Sequence, residues 1–451
     1  MQRSHKQCIK DQPRFRGIFE NGRGFGRRIK LNTCFYDDNC AYLQKAIDSE
    51  QNYNFVDELE NKLSSYLGGR AVLTTNTGTG SMHMAIKLAA SIAYGSNDYK
   101  NKRVFCSDLC PIEQAMPILY EGMIPTFIDS GYTDFNIDPE SLNKAFELYS
   151  DTKIVIINHL YGFPGNVFLI KKICEEHGAI LIENASEAFG ARVDGKAVGT
   201  IGDIGVFDFG KGKIISADSG GAIAAGDKAN IEIVRSLADM SKEKLPWNHH
   251  NCIGYDYRMS NITAAVISSQ LPHIDEVISG KRHIFERYRD NLNEDLIYLN
   301  NSDENIEPNY WRPMILCDSS INAKEKRSEN GYSYEDIHGT SSPMEIIDAL
   351  DAFGADAAPL YMPMSMQPLF KSYELISLEG KILYLEPYNT ETCLFSSEVS
   401  RDASRRGLCL PSDMTMTEEE QFQIIEIVNA CFSGQSIDRD TTETVMMACG
   451  M

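Results

Sequence analysis

A segment rich in threonine and glycine, Thr74 to Ser81, has the composition of an anion-binding turn. It follows a short apolar run and precedes an amphipathic stretch, which predicts a turn between a strand and the start of a helix. The backbone N–H groups of Gly78, Thr79 and Gly80 would then face an anion at the helix N-terminus, and phosphate is the natural ligand. The same residue types are also ordinary helix N-caps, so this segment alone does not decide between the two uses.

Three further segments place polar and charged side chains beside predicted strands. They are IENASEAFGA at 182–191, GDIGVFDFGKGKIISADSGG at 202–221 and IGYDYRMSNI at 253–262. Loops at the carboxyl ends of parallel strands are where ligands usually bind. The order of the segments therefore favours one ligand site at the edge of one sheet.

The elements that must position these segments alternate along residues 55–230. Short β-rich runs alternate with amphipathic helical stretches, which is the pattern of a mostly parallel sheet flanked by helices. The predicted strands are Ala71 to Thr75, Arg103 to Cys106, Ile124 to Asp129, Lys153 to Asn158, Ala179 to Glu183, Gly205 to Phe209 and Gly221 to Ala225. The predicted helices are Ser81 to Ile92, Ile112 to Glu121, Pro139 to Leu148 and Val167 to Glu176. The fold class is therefore α/β.

Composition divides the chain into several regions. Near the start, nine Lys or Arg face only Asp11 and Glu20, which predicts a solvated basic arm. A polar, charged stretch in the C-terminal half is interpreted as an inserted surface loop. The predicted regions are a basic arm (1–30), a large domain (31–292), a small C-terminal domain (293–433) with a polar insertion (318–342), and a loosely held tail (434–451).

The overall charge argues against whole classes of partner. Lys and Arg number 43 against 64 Asp and Glu, a net charge of −21, so the body of the protein should repel nucleic acid and anionic membrane surfaces. No apolar run approaches the length that spans a bilayer, and no secretory signal is seen. The twelve cysteines include no CxxC pair, so neither a metal site nor a disulfide framework is predicted. We expect a reduced, cytoplasmic protein.

The four segments, in their order and spacing, resemble the DegT/DnrJ/StrS family of nucleotide-sugar aminotransferases, which depend on pyridoxal 5'-phosphate (PLP). The resemblance is nearest to the branch that aminates 4-keto sugars. HLYGFPG at 159–165, MPMSMQPLF at 362–370 and RGLCLPS at 406–412 extend it over roughly residues 45–432. It implies a fold-type-I PLP transferase: a large domain with a mostly parallel seven-stranded sheet flanked by helices, and a smaller C-terminal α/β domain.

The resemblance also implies roles for individual residues. Lys213, within FDFGKGKII, stands at the catalytic lysine that forms a Schiff base with PLP and shuttles a proton, and Lys211 is the weaker candidate. The phosphate of PLP would lie at the turn described above, held by Thr79 and its neighbours. Glu187 stands where the branch carries a carboxylate near the substrate.

Several positions depart from the family pattern. Asn184 stands where the family has an Asp that keeps the pyridine nitrogen protonated, and an amide cannot supply that charge. Asp208 replaces a phosphate-binding Ser, and Asp256 replaces the Asn that a neighbouring subunit donates to the phosphate. Like charges about 4 Å apart repel by roughly 4 kcal/mol at an effective dielectric near 20, so these carboxylates disfavour phosphate unless Lys211 compensates Asp208. Pro111 stands where a ring stacks on the cofactor. The substrate-facing positions of the small domain are Ala358, Met362 and Ser365.

Two hypotheses follow. In the first, the protein is a PLP-dependent aminotransferase that moves an amino group from glutamate to a nucleotide-linked keto sugar in polysaccharide or glycan biosynthesis. In the second, it is a catalytically degenerate protein of the same fold that acts as a binding, regulatory or scaffold partner. Retention of Lys213 favours the first hypothesis, and the departures favour the second. The resemblance implies a homodimer, and the second hypothesis allows pairing with an active homologue.

Overall fold

A computed structural model describes residues 5–19, 24–33, 39–48, 54–95, 99–294, 297–299, 304–317, 325–328, 331–335, 339–382 and 398–433. The predicted tail, 434–451, lies outside the described residues. The α-helices are α1 His5–Lys10, α2 Asn39–Asp48, α3 Phe55–Tyr66, α4 Gly78–Tyr94, α5 Ile112–Tyr120, α6 Pro139–Leu148, α7 Val167–Glu176, α8 Lys228–Ala238, α9 Asn261–Gln270, α10 Ile274–Asn291, α11 Pro343–Phe353, α12 Val399–Arg406 and α13 Glu418–Cys431.

The strands are short. They are β1 Ala71–Thr75, β2 Arg103–Ser107, β3 Ile124–Ile128, β4 Ile154–Asn158, β5 Ile180–Asn184, β6 Arg192–Val193, β7 Lys196–Ala197, β8 Ile204–Asp208, β9 Gly221–Ala225, β10 Ile297–Leu299, β11 Ile306–Glu307, β12 Met314–Cys317, β13 Glu325–Ser328, β14 Gly331–Tyr334, β15 Ala358–Pro359, β16 Glu374–Ser377, β17 Gly380–Ile382 and β18 Gly407–Cys409. Single 3-10 turns occur at Pro13–Phe15, Leu160–Gly162, Leu271–His273, Met364–Met366 and Pro368–Phe370.

One nine-stranded sheet, in the order β1-β9-β8-β5-β4-β2-β3-β16-β17, forms the centre of the fold. The strands from β8 to β16 pair in parallel, whereas β1 with β9, β9 with β8, and β16 with β17 pair antiparallel. All seven predicted strands are present, and the α/β class is confirmed. The two additional strands come from the C-terminal half, where Leu375 and Ile376 are buried beside Phe127 and Ile128 of β3.

Alternate residues of each central strand face two apolar layers. In β2, Val104 and Cys106 pack in a cluster that includes α4 and α5, whereas Phe105 packs in the opposite cluster with α3 and α7. Strands that are buried on both faces are the usual outcome of helices that cover both sides of a parallel sheet. The packing fixes α4, and hence the turn that precedes it, at the carboxyl edge of the sheet.

A smaller four-stranded sheet, in the order β10-β12-β18-β15, packs with α11 and α13. Part of the predicted basic arm joins this cluster, because Ile9, Phe15 and Phe19 are buried there. The Arg14 guanidinium lies 2.6 Å from the Glu345 carboxylate, with side-chain exposures of only 5% and 3%. The expectation of a solvated arm is therefore wrong for these residues: its basic residues are interspersed with apolar ones that the charge count does not weigh.

The described part of the polar insertion contains a hairpin, β13 with β14. The Arg327 guanidinium donates to the carbonyl oxygens of Ser404 and Arg405 at the end of α12. The hydroxyls of Tyr332 and Tyr334 donate to the Asp348 carboxylate of α11. The hairpin is thus anchored to two helices. Over the described ranges, the helices are all too short or too polar to span a bilayer.

Candidate active site

The N-terminus of α4 presents backbone donors at the carboxyl end of the sheet. The Thr77 hydroxyl caps this helix by accepting a hydrogen bond of 3.0 Å from the Gly80 N–H. The N–H groups of Gly78 and Thr79 have no acceptor among the described residues. Two backbone donors and the positive end of the helix dipole therefore meet here, which is the arrangement that binds a phosphate. Of the three residues that were predicted to bind phosphate, Gly80 alone has its N–H already engaged.

Asn184 ends β5 beside this turn and is 5% exposed. Its Nδ2 donates to Gln114 Oε1 at 2.9 Å, and its Oδ1 accepts from the Ser186 N–H at 3.2 Å. A primary amide carries two N–H donors, so one remains for a ligand. Asn184 is thus fixed in orientation and able to donate into the space above the sheet.

Asp208 ends the neighbouring strand, β8, and its carboxylate lies against the first turn of α4. A Cβ atom on Gly78 would lie 2.6 Å from Asp208 Cγ, so only glycine permits this approach. Asp208 Oδ1 accepts from the Gly210 N–H at 3.0 Å, and Oδ2 lies 3.8 Å from Lys213 Nζ. The cation beside Asp208 is therefore Lys213, rather than Lys211 as the sequence suggested.

Lys213 lies in the loop after β8 with a side-chain exposure of 14%. Its Nζ lies 4.5 Å from the centroid of the Trp311 ring. The Trp311 indole is itself fixed, because Nε1–H donates to the Gly212 carbonyl oxygen at 2.7 Å. The lysine is thus confined between a carboxylate and an aromatic face, with its amine directed to the same space as Asn184.

These groups line one cavity of about 570 Å³. The structure brings together most of the site that the sequence predicts, including four of the positions that depart from the family pattern. The predicted residues that line the cavity are Gly78, Thr79, Pro111, Asn184, Asp208, Lys211, Lys213 and Met362.

Glu187 and Asp256 do not line this cavity. Glu187 is 2% exposed behind it, accepting from the Tyr161 N–H at 2.8 Å and from the Tyr361 hydroxyl at 2.6 Å. Burial, and then the Glu187 charge, raise the pKa of the Tyr361 hydroxyl well above its usual range, so it remains a donor. Tyr361 lines the cavity, and Glu187 therefore acts there only through this ring. Asp256 is exposed, and its carbonyl oxygen accepts from Asn76 Nδ2 at 3.1 Å.

Ser365, at a position predicted to face substrate, is turned away from the cavity. It is 2% exposed, and its N–H and hydroxyl donate to Asp108 at 2.7 and 2.9 Å. Ala358, in β15, pairs with Cys409. These two positions hold the loop that carries Met362 instead of contacting a ligand.

Several residues that line the cavity were not predicted from the sequence. Trp311 and Arg312 precede β12, and Tyr361 and Gln367 lie in the segment after β15. One signal was present: Trp311 is one of two tryptophans in the chain and stands next to an arginine before a strand. The others lie in irregular backbone, where no periodicity marks them.

Comparison with known proteins identifies the family of this chain. A family model described as the DegT/DnrJ/EryC1/StrS aminotransferase family matches residues 35–429. The chain belongs to this family. It is 31% identical over 379 residues to the putative pyridoxal phosphate-dependent aminotransferase EpsN of Bacillus subtilis (strain 168), covering 83% of this chain and 87% of that protein. It is 26% identical over 395 residues to the GDP-perosamine synthase of Escherichia coli O157:H7, covering 87% and 95%.

The DegT/DnrJ/EryC1/StrS fold is also found in solved structures. The Helicobacter pylori aminotransferase PseC, involved in the biosynthesis of pseudoaminic acid, matches with a TM-score of 0.74 and 18% identity, covering 90% of this chain and 99% of that one. The family and the fold predicted from the sequence are therefore confirmed. The family is one of sugar aminotransferases that depend on PLP.

The residues present fit that cofactor at three of its groups. The open N–H groups of Gly78 and Thr79 suit the phosphate, the spare Asn184 donor suits the pyridine nitrogen, and the Lys213 amine suits the aldehyde. The Asp208 carboxylate is unfavourable beside a phosphate, and the Lys213 ammonium at 3.8 Å offsets part of its charge before that amine reacts with the aldehyde.

Proposed function

We propose that the protein is a PLP-dependent aminotransferase that transfers an amino group from glutamate to a keto sugar linked to a nucleoside diphosphate. The observation that carries this proposal is the placement of Lys213. Its amine lies in a cavity formed by the N-terminus of α4 and the ends of β5 and β8, in a chain of the sugar aminotransferase family. The GDP-perosamine synthase relatives support a nucleotide-linked sugar as the acceptor.

When bound, PLP supplies an electron sink that stabilises negative charge on the carbon next to the transferred nitrogen. Lys213 Nζ would accept the proton from that carbon. It would then return the proton to the carbon on the other side of the transferred nitrogen. Asn184, held by Gln114, would hold the pyridine nitrogen of the cofactor through its second N–H, without giving that nitrogen a charge. Tyr361 is held by Glu187 and stacks on Tyr161 with centroids 5.0 Å apart, so it forms a rigid wall that orients the substrates.

A dimer completes this proposal. Asp256 is exposed next to Asn76, at the C-terminal end of β1. The exposed Ile253 and Trp247 lie on the same segment, and such apolar groups suit a subunit interface. A second copy would bring its own Asp256 segment toward the α4 turn. Pairing with an active homologue would use the same surface.

An isotope-transfer assay tests the proposed function. Purified protein with PLP and ¹⁵N-glutamate is incubated with GDP-linked 4-keto-6-deoxymannose, and the sugar nucleotide is analysed by mass spectrometry. We expect the ¹⁵N label in the sugar, and loss of transfer in Lys213→Ala. Lys172→Ala serves as the matched control, because that side chain is 71% exposed on α7.

The same assay distinguishes the aminotransferase from the alternative, a catalytically degenerate protein that only binds partners. Folded protein that moves no label from glutamate or glutamine to any keto sugar nucleotide would refute the aminotransferase proposal. The access of Lys213 to the cavity favours the enzyme, because a protein that only binds partners has no need of a lysine amine directed into a pocket.

A further inference from the structure

Arg312 is a cation in the cavity that the sequence did not single out. Its guanidinium carbon lies 4.1 Å from the centroid of the Trp311 ring, and its backbone N–H donates to the Tyr161 carbonyl oxygen at 3.1 Å. The side chain is half-buried and lines the same cavity as Lys213. Both its backbone and its guanidinium plane are therefore held in place.

In the part of the chain that the structure describes, the Arg312 guanidinium has no carboxylate partner to neutralise its charge. The Nε atom is buried without a hydrogen-bond partner, and no carboxylate of the described residues forms an ion pair with Arg312. Two other partly or fully buried arginines are paired with carboxylates: Arg14 with Glu345 at 2.6 Å, and Arg235 with Glu60 at 2.9 Å. In a chain with a net charge of −21, an arginine left without a carboxylate in a cavity points to an anionic ligand.

Trp311 places this cation close to the reacting amine. The indole is fixed by Nε1–H to the Gly212 carbonyl oxygen at 2.7 Å and by its backbone N–H to Asn309 Oδ1 at 2.9 Å. The Lys213 amine and the Arg312 guanidinium lie 4.5 and 4.1 Å from the centroid of this one ring. A stacked guanidinium keeps its N–H edge available for a planar carboxylate.

We propose that Arg312 binds the α-carboxylate of the amino donor, an inference that rests on the proposed function. In an amino acid the carboxylate is bonded to the same carbon as the reacting amine. In a nucleotide-linked 4-keto sugar the width of the sugar ring separates the diphosphate from the carbonyl. A cation that shares one indole ring with Lys213 therefore suits the donor carboxylate better than the diphosphate.

Two measurements test this role. In the first, PLP-loaded protein is mixed with glutamate, and the change in cofactor absorption gives the donor Kd and the rate of the donor half-reaction. In the second, calorimetry follows the binding of glutarate, which has the carboxylates but no amine to react. We expect Arg312→Gln to weaken the binding of glutamate and of glutarate by about 10- to 100-fold, which is the range for a lost charge-assisted hydrogen bond. Arg312→Lys should recover part of this loss.

The matched control is Arg282→Gln, which removes an exposed guanidinium that stacks 5.5 Å from the Tyr310 ring outside the cavity. We expect this control to leave the affinities for glutamate and glutarate unchanged. We also expect Arg312→Gln to leave the KM for the sugar within about twofold and the melting temperature unchanged. A raised KM for the sugar with an unchanged donor Kd would overturn the inference and leave the aminotransferase intact. Wild-type protein whose cofactor absorption does not respond to glutamate or glutamine would overturn both proposals.

Discussion

At the scale of single residues, the site depends on where one negative charge lies. The Asp208 carboxylate is packed against Gly78 at the start of α4, where the backbone donors would bind a phosphate. A carboxylate is itself favourable at a helix N-terminus, so Asp208 stabilises the turn in the absence of a ligand. With a phosphate bound, the same charge becomes repulsive, and the Lys213 ammonium at 3.8 Å offsets it only until that amine reacts with the cofactor.

We therefore expect Asp208→Asn to bind PLP about tenfold more tightly than the wild type, which corresponds to about 1.4 kcal/mol. The amide has the shape of the carboxylate, so its oxygen keeps the hydrogen bond from the Gly210 N–H, and only the charge is removed. An absorbance titration of the cofactor measures the change. Unchanged or weaker binding would show that Asp208 does not oppose the phosphate.

The sequence predicted the centre of this site better than its walls. Lys213, Asn184 and Asp208 follow strands whose pattern is clear, so their shared edge was predictable. Glu187 was expected near the substrate, but the fold turns it behind Tyr361, because the direction of a side chain after a strand depends on packing that spacing does not reveal. Arg312 was missed because its partner, the Trp311 ring, is defined only by tertiary structure.

At the scale of elements, two buried carboxylates hold the small-domain segments against the sheet. Asp129, after β3, accepts from the N–H groups of Val399 and Ser400 at 3.0 Å each, at the start of α12. Asp108, after β2, accepts from the Ser400 hydroxyl at 2.6 Å and also holds Ser365. Burial is the main reason that the pKa of Asp129 rises to about 6, and the Asp108 charge adds to it.

This raised pKa predicts a pH dependence of stability. The folded state holds the Asp129 proton more tightly than the unfolded state, whose pKa is near 3.8, so the stabilisation is fully present below that value and lost as the pH rises through 6. The advantage of the wild type over Asp129→Asn in unfolding free energy should fall by about 2.4 kcal/mol between pH 4 and pH 7. Urea unfolding at several pH values measures it.

Asp151→Asn, which changes an exposed carboxylate, is the control and should show a flat difference over this range. A difference between the wild type and Asp129→Asn that is equally flat would mean that Asp129 titrates as it does in the unfolded chain.

The elements themselves were predictable where they are long and regular. The bounds of β1, β9, α6 and α7 agree with the prediction. The strands β16 and β17, of four and three residues, were not predicted, because so short a run shows too little alternation to mark a strand. Their position beside β3 is set by the buried apolar edge of that strand, which is a property of the folded sheet.

At the scale of the whole molecule, the start of the chain is joined to its C-terminal half. Phe15 and Phe19 are buried against Phe353 of α11, with ring centroids 5.5 and 5.2 Å from it. The Arg14 guanidinium pairs with Glu345 and also donates to the Cys431 carbonyl oxygen at 3.0 Å. This basic segment therefore has a structural role: it packs the start of the chain against α11.

Breaking that pair should destabilise the protein. Arg14→Ala removes the cation that neutralises the buried Glu345 carboxylate, and we expect the free energy of unfolding to fall by about 3 kcal/mol. Lys6→Ala is the control: its ammonium is 58% exposed beside Asp351, and its loss should cost less than about 1 kcal/mol. Urea denaturation compares the two. Equal, small effects would show that the Arg14–Glu345 pair contributes no more to stability than an exposed ion pair.

The central claim is that Lys213 reacts with the cofactor, and borohydride reduction tests it most directly. Wild-type protein is incubated with PLP, reduced and digested, and its peptides are mapped by mass spectrometry. We predict a single phosphopyridoxyl adduct on Lys213, in the peptide that contains FDFGKGKII, and its absence from Lys213→Ala. An adduct on Lys211 instead, or folded protein that carries no adduct, would contradict the account.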